Sequence, residues 1–157
     1  MAKEVERKFL VAGDAWRGAS TSSSRIEQFY LAIAEGRSVR IRIKDGAKAF
    51  ITLKFGLNAK VRDEFEFPIP VDDAREMRAF ALGHIIDKTR YLVPHHGYAF
   101  EVDVFHGDLD GLVLTELETP DDLANTALPS WLGREVTGES GYYNASLARL
   151  GRPAERK

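Results

Sequence analysis

Residues 38–44 read Ser-Val-Arg-Ile-Arg-Ile-Lys, the clearest alternation of side chains in the chain. Apolar and basic side chains alternate at every second position, which is the period of a β-strand with two chemically different faces. The basic members of the stretch are Arg40, Arg42 and Lys44. Asp-Gly follows at positions 45–46, a pair typical of a tight hairpin turn. The stretch therefore predicts an antiparallel strand with one basic face.

The same alternation continues on both sides of this strand. Strands are predicted over residues 2–11, 26–34, 38–44, 48–55, 60–69, 84–93, 98–105 and 111–119. Helices are predicted over residues 72–82, from a start at 119–122, and over 144–150, with a short turn near 14–18. Because most of the strands are joined by short turns, about eight strands are expected in a mainly antiparallel arrangement.

Length and composition limit the class of protein. The chain has 157 residues, of which 44% are hydrophobic and 29% are charged, so we expect one globular domain over residues 1–157. The polar tail 151–157 is expected to be disordered. No apolar run approaches the roughly 18 residues that span a bilayer, and the N-terminus is charged from its third residue. These features predict a cytoplasmic protein with no membrane partner.

The charge balance and the lack of cysteine exclude several functions. The formal net charge of −2 argues against broad binding to nucleic acid. The chain contains no cysteine, so it has no disulfide, no thiolate nucleophile and no zinc–thiolate site. The lack of cysteine also suits the cytoplasm.

Charged residues recur at alternate positions in most of the predicted strands. The basic members are Lys8, Arg40, Arg42, Lys54, Arg62, Lys88 and Arg90, and the acidic members are Glu4, Glu6, Glu64, Glu66, Glu101, Asp103, Glu116 and Glu118. Within a strand this spacing places the members on one side of the sheet. An antiparallel sheet with one solvated face also alternates in this way, so an ordinary structural barrel stays possible.

Same-sign neighbours favour a more specific hypothesis. Like charges two residues apart, as in Arg40 with Arg42 and Glu116 with Glu118, repel one another. They become favourable when a multivalent anion and a cation lie between the strands. Arginine and lysine bind phosphate oxygens, and carboxylates bind Mg²⁺ or Mn²⁺ together with water and phosphate. Cleavage of a phosphoanhydride needs this combination of positioning, charge neutralisation and an activated water.

Residues 4–8, Glu-Val-Glu-Arg-Lys, fit the ExExK signature of the CYTH superfamily, also called the triphosphate tunnel metalloenzymes. Further segments resemble the family's later strands in the same order. They are Gln-Phe-Tyr-Leu at 28–31, Val-Arg-Ile-Arg at 39–42, Thr-Leu-Lys at 52–54, Lys-Thr-Arg-Tyr at 88–91, Glu-Val-Asp-Val-Phe at 101–105, Glu-Leu-Glu at 116–118 and Trp-Leu-Gly-Arg-Glu-Val-Thr at 131–137. The resemblance covers residues 3 to 150 and is to the short bacterial members.

The resemblance implies an α+β, mainly β fold: a closed eight-stranded antiparallel β-barrel, the triphosphate tunnel, with its charged face inward and a few outer helices. It implies phosphate binding by Lys8, Arg40, Arg42, Lys54 and Arg90, with Lys88 nearby. It implies metal binding by Glu4, Glu6, Asp103, Glu116 and Glu118, with Glu64, Glu66 and Glu101 in support. The implied metal is Mg²⁺ or Mn²⁺.

The resemblance implies hydrolysis of a small triphosphate-containing molecule, most of all inorganic tripolyphosphate. A thiamine triphosphatase, a nucleoside triphosphatase and an adenylate cyclase remain alternatives within the same fold. A polyphosphate or nucleotide sensor without turnover is an alternative from another class, and the chain would act as a monomer or homodimer. One departure concerns substrate preference: many relatives have a basic residue before the last helix, where this chain has Tyr142 and Tyr143.

Overall fold

Three stretches of the chain, residues 5–56, 62–119 and 128–153, are described by the computed structural model. Some sequence predictions lie outside these described residues. They concern Glu4, the strand start at 60–61, the helix start at 120–122 and the end of the tail at 154–157.

The described residues form nine strands and two α-helices. The strands are β1 Val5–Val11, β2 Ser22–Ala34, β3 Arg37–Lys44, β4 Lys48–Phe55, β5 Asp63–Ile69, β6 Leu82–His95, β7 Tyr98–Phe105, β8 Val113–Thr119 and β9 Leu132–Glu135. The helices are α1 Val71–Met77 and α2 Asn144–Leu150, with 3-10 turns at Ala15–Ala19, Arg78–Phe80, Gly107–Leu109 and Ser140–Tyr142. The predicted bounds of α2 are confirmed, whereas the helix predicted over 72–82 becomes a 3-10 turn after Met77.

All nine strands form one antiparallel sheet in the order β5-β4-β3-β2-β6-β7-β8-β1-β9. The prediction of a closed eight-stranded barrel is therefore wrong, because the hydrogen-bonded order ends at β5 on one side and at β9 on the other. The edge of β1 that β5 would need for closure is already paired with β9. The β9 sequence, Leu-Gly-Arg-Glu, has no apolar alternation, so periodicity does not reveal it.

The register of the strands places the predicted charged residues on one face of the sheet, which we call the inner face. Residues directly opposite one another in neighbouring strands point to the same side. The paired positions include Lys8–Glu116–Glu101 across β1, β8 and β7, Asp103–Arg90 across β7 and β6, and Arg40–Thr52–Glu66 across β3, β4 and β5. The charged positions of neighbouring strands thus lie opposite one another, so they form one continuous face of the sheet.

Apolar clusters pack against both faces of the sheet. The outer face is covered by α1, whose Ala74 packs against Ile41 of β3, and by the turn that carries Trp16. One end of the inner face is covered by α2, whose Leu147 packs against Ile86 of β6. The charged residues occupy the rest of the inner face.

Close contact between α2 and β6 depends on a glycine. Gly83 has a φ of +67°, and a Cβ at this position would lie 2.2 Å from the carbonyl oxygen of Ala148. Only glycine fits so close to the backbone of α2 without displacing it. Neither α2 nor any other helix of the described residues has the length and apolar character needed to cross a membrane.

Candidate active site

The two ends of the sheet approach each other across the inner face. Lys54 of β4 and Glu6 of β1 attract each other, although β3, β2, β6, β7 and β8 lie between their strands in the sheet order. Arg62, just before β5, also favours the charged form of Glu6 and so opposes the rise in its pKa. Its guanidinium carbon lies 5.7 Å from the ring centre of Tyr143. The sheet is therefore curled, so that charged side chains of its two ends face each other, with no backbone hydrogen bonds between β5 and β1 in the described sheet.

A buried ion-pair cluster occupies the β6–β7 part of the inner face. Asp103 accepts hydrogen bonds from Lys88 Nζ at 2.7 Å and from Arg90 Nε and Nη2 at 2.8 and 2.9 Å. Arg90 also reaches Glu101 at 2.6 Å. The side chain of Lys88 is completely buried, and that of Asp103 is 5% exposed. Both oxygens of Asp103 are thus engaged by cations of the protein itself.

The cluster has perturbed pKa values with clear causes. Burial opposes the charge of Asp103, but Lys88 and Arg90 outweigh it and hold the pKa of Asp103 well below its usual range. Burial also opposes the charge of Arg90, and Asp103 with Glu101 outweighs it, so the pKa of Arg90 is raised. For Lys88 burial dominates and lowers the pKa to about 7, although Asp103 opposes the change. Asp103 therefore serves as the counterion of two buried cations.

Lys8 of β1 forms a second carboxylate-paired cation. Its Nζ lies 3.2 Å from Glu116 Oε1 and donates to the backbone carbonyl of Tyr142 at 3.0 Å. Burial raises the pKa of Glu116, but Lys8 and the other nearby cations outweigh it, so the net shift is downward. Glu116 therefore stays ionised beside Lys8.

The cations on β3 and β4 have different partners. Arg42 donates to the side-chain oxygen of Gln28 from Nε at 3.0 Å and from Nη2 at 2.8 Å, and Arg40 Nη2 donates to Thr52 Oγ1 at 3.2 Å. These acceptors are neutral, so they leave the positive charge of each arginine uncancelled. Burial, followed by repulsion from Arg40, lowers the pKa of Arg42 to about 10 and also lowers that of Lys54. This part of the inner face is a basic surface in which neither arginine forms an ion pair with a carboxylate of the described residues, whereas Lys54 lies opposite Glu64 of β5.

Carboxylates face this basic surface from β1 and β8. Glu6 and Glu118 are cross-strand partners, and Glu116 lies on the same face of β8. Burial and then repulsion from Glu116 raise the pKa of Glu6, as expected where two carboxylates share a site. In the described part of the chain, no three acidic or histidine side chains are close enough together to hold a metal ion. Glu4, the other predicted ligand on β1, lies outside that part.

The donor chemistry still fits a hard divalent cation. Glu6 and Glu116 are carboxylates whose mutual repulsion a cation would relieve, and Mg²⁺ takes only one or two protein carboxylates and completes its shell with water and phosphate. Asp103 fits less well, because a metal would compete with Lys88 and Arg90 for its oxygens.

Every predicted site residue within the described ranges lies on the inner face. Glu64 and Glu66 lie there on the edge strand β5, opposite Lys54 and Thr52. Arg7, by contrast, turns to β9 and binds Glu135 with Nη2–Oε1 at 2.6 Å. Arg7 lies between Glu6 and Lys8 on β1, so the two-residue period of the strand turns its side chain to the opposite face.

Sequence reasoning gave no role to the neutral partners Gln28 and Thr52. Both side chains are fully buried; Thr52 lies between Ile51 and Leu53, and Gln28 begins the apolar run that continues with Phe29 and Tyr30. A polar residue inside an apolar strand, in phase with arginines on its neighbour, is the pattern that could have identified them. It depends on knowing the register, which one sequence does not supply.

This arrangement of cations opposite carboxylates can be compared with known protein families. The family model described as the CYTH domain matches residues 2–150. The chain belongs to the CYTH family. Its similarity therefore extends over nearly the whole domain and includes every predicted site residue.

Two CYTH relatives carry the name inorganic triphosphatase. The one from Acetivibrio thermocellus is 37% identical over 150 residues, covering 95% of this chain and 95% of the relative. The one from Nitrosomonas europaea is 36% identical over 152 residues, covering 92% of this chain and 96% of the relative. A crystal structure of an inorganic triphosphatase is 33% identical, with a TM-score of 0.72 over 94% of this chain and 95% of that one.

Proposed function

We propose that this CYTH protein hydrolyses inorganic tripolyphosphate to pyrophosphate and phosphate with the help of Mg²⁺ or Mn²⁺. The observation that carries the proposal is the basic surface of Arg40, Arg42 and Lys54, whose arginines are held by neutral groups and which faces the carboxylates Glu6 and Glu116 across the curled sheet. A linear triphosphate is the polyanion that matches such a surface. The CYTH relatives named inorganic triphosphatase, each more than 35% identical, support the same substrate.

The basic residues would bind and orient the phosphate chain. Arg40 and Arg42 project from the same face of β3, two residues apart, and can each donate in a forked arrangement to phosphate oxygens. Lys54 adds a point charge from β4, and Lys8 adds one from β1. Charge neutralisation and alignment of the phosphate chain supply most of the catalysis in phosphoryl transfer.

The carboxylates Glu6, Glu116 and Glu118 would hold the divalent metal, together with Glu4. When bound, the metal would neutralise phosphate charge and promote the attack of water. Asp103 and Glu101 would act from β7 by keeping Lys88 and Arg90 charged and in place. The fit of these residues to a metal supports this part of the proposal.

Product and substrate analysis tests the proposal. Phosphate release is measured from tripolyphosphate, ATP and thiamine triphosphate, each with Mg²⁺, with Mn²⁺ and without metal. We expect release from tripolyphosphate to be fastest and to require metal. Faster release from ATP or thiamine triphosphate, or formation of pyrophosphate and cyclic AMP from ATP, would contradict the proposed substrate. Binding of tripolyphosphate without turnover would instead indicate a sensor.

A further inference from the structure

Gln28 lies at the centre of the inner face and is completely buried. In the register of β2 it stands between Arg42 of β3 and Ile86 of β6. Its Oε1 accepts two hydrogen bonds from Arg42, from Nε at 3.0 Å and from Nη2 at 2.8 Å. Because a guanidinium group can only donate, the amide oxygen and not the amide nitrogen must face Arg42. The orientation of the amide is therefore fixed by chemistry.

A second arginine of the inner face is held by the same forked geometry but by a different group. Asp103 accepts from Arg90 Nε at 2.8 Å and from Nη2 at 2.9 Å. The carboxylate of Asp103 cancels the charge of Arg90, whereas the amide of Gln28 fixes Arg42 without cancelling its charge. Arg40 follows the neutral pattern, since its Nη2 donates to the hydroxyl of Thr52.

Two buried donors on this part of the inner face have no partner among the described residues. They are Gln28 Nε2 and Arg40 Nε. Buried donors are nearly always satisfied in folded proteins, so each of these two atoms calls for an explanation. A site built to receive an anion has this character, because the anion brings the acceptors.

We propose that Gln28 is a positioning residue for triphosphate binding, whose neutral amide orients the Arg42 guanidinium and leaves its positive charge for the substrate. The inference rests on the proposed function and adds to it the reason for an amide at this position. A carboxylate would hold Arg42 at least as firmly, yet it would weaken the attraction for a polyanion. Orientation and charge are therefore separable by substitution.

Two substitutions separate them. Gln28→Glu keeps two acceptor positions for Arg42 but adds a negative charge, and Gln28→Met removes the acceptor without adding charge. Both remove the Nε2 donors, so the difference between the two variants reports on charge against orientation alone. Ser23→Asp, on the exposed outer side of the same strand, is the control for one added negative charge.

The experiment measures the Kd of tripolyphosphate by calorimetry, KM and kcat with Mn²⁺, and Tm for each variant. If the charge of Arg42 is cancelled, its hydrogen bond to a phosphate oxygen is no longer charge-assisted. The loss of such a bond weakens binding about tenfold or more. We expect Gln28→Glu to raise Kd and KM at least about tenfold, and more than Gln28→Met does, while it melts cooperatively near the wild-type Tm. Ser23→Asp should leave Kd and KM unchanged. Because one effective cation is cancelled, the Kd of Gln28→Glu should also rise less steeply with salt.

Three results would overturn the inference. They are a Gln28→Glu variant with Kd within about twofold of wild type, a Gln28→Met variant weaker in binding than Gln28→Glu, and variants that lower only Tm and the amount of active protein. Failure of the proposed function looks different, since wild type would then bind tripolyphosphate without hydrolysing it. In that case the ranking of Kd values still tests the role of Gln28.

Discussion

At the scale of single residues, the cations of the inner face fall into two groups according to their partners. Lys8, Lys88 and Arg90 are paired with carboxylates, whereas Arg40 and Arg42 are held by a hydroxyl and an amide. The first group stabilises a charged interior, and the second keeps positive charge available. Substitutions in the first group should therefore mainly lower stability, and substitutions in the second group should mainly lower activity.

Asp103→Asn tests the first group. The substitution removes the carboxylate that pairs with both Lys88 and Arg90, and breaking a buried ion pair in this way costs about 3–5 kcal/mol. We expect this loss in the free energy of unfolding, measured by urea denaturation at pH 7. Asp87→Asn is the matched control, because Asp87 forms a similar forked pair with Arg25 whose arginine side chain is 56% exposed. An exposed pair contributes at most about 1 kcal/mol, so equal losses in both variants would contradict the account.

Acid stability gives an independent test of Asp103. Its pKa is lowered in the folded state from an ordinary value of 3.8, so its contribution is fully present above that value and is lost as the pH falls below it. The Tm of the wild type should therefore drop steeply below about pH 4. Asp103→Asn should have a lower Tm than the wild type at neutral pH and a shallower drop in acid. Both are measured by circular dichroism. Parallel curves for the two proteins would show that Asp103 does not carry the effect.

At the scale of elements, α2 is held on β6 through a close backbone contact at Gly83. A Cβ there would meet Ala148 O at 2.2 Å, so Gly83→Ala should push α2 away from the sheet. Gly13 has nearly the same φ, +66° against +67°, but has no atom within 4 Å of an added Cβ. Gly13→Ala thus measures the backbone strain alone, about 1 kcal/mol.

The difference between these two glycine variants isolates the steric contact. We expect Gly83→Ala to lose at least about 2 kcal/mol more than Gly13→Ala in chemical denaturation, in the range of severe core substitutions. It should also lower activity, because α2 adjoins Tyr143 and the carbonyl of Tyr142 that binds Lys8. Equal destabilisation by the two substitutions would show that α2 adjusts freely.

The elements also show what one sequence can predict. Alternation located the core of most strands, and a C-terminal glycine fixed the end of α2, because both are local properties of the chain. The open sheet was missed because it depends on β9, a strand of four residues with no pattern of its own. The two-residue alternation of side chains predicted which residues share the inner face. It could not show whether that face lies against water or substrate, because this depends on the curvature of the sheet, which brings Glu6 near Lys54. Gln28 was missed because its partner lies on another strand.

At the scale of the whole molecule, the charged interior is largely balanced by its own ion pairs. Lys8, Lys88 and Arg90 have protein carboxylates as partners, so the fold does not depend on metal to keep them satisfied. We expect EDTA to abolish hydrolysis while the circular dichroism spectrum stays unchanged, and Mg²⁺ or Mn²⁺ to restore activity. Tripolyphosphate added with metal should raise Tm according to its concentration relative to Kd. Unfolding on chelation would contradict this balance.

The central claim is that the inner face of the curled sheet is where a triphosphate is hydrolysed. The most direct measurement is phosphate release from tripolyphosphate with Mn²⁺ by wild type, Arg40→Ala and Arg25→Ala, with Tm recorded for each. Arg40 lies on the inner face with a neutral partner, whereas Arg25 lies outside in an exposed ion pair. We expect Arg40→Ala to lower kcat/KM by about a hundredfold or more while keeping a cooperative fold, and Arg25→Ala to stay near wild type. Full activity in Arg40→Ala would contradict the central claim.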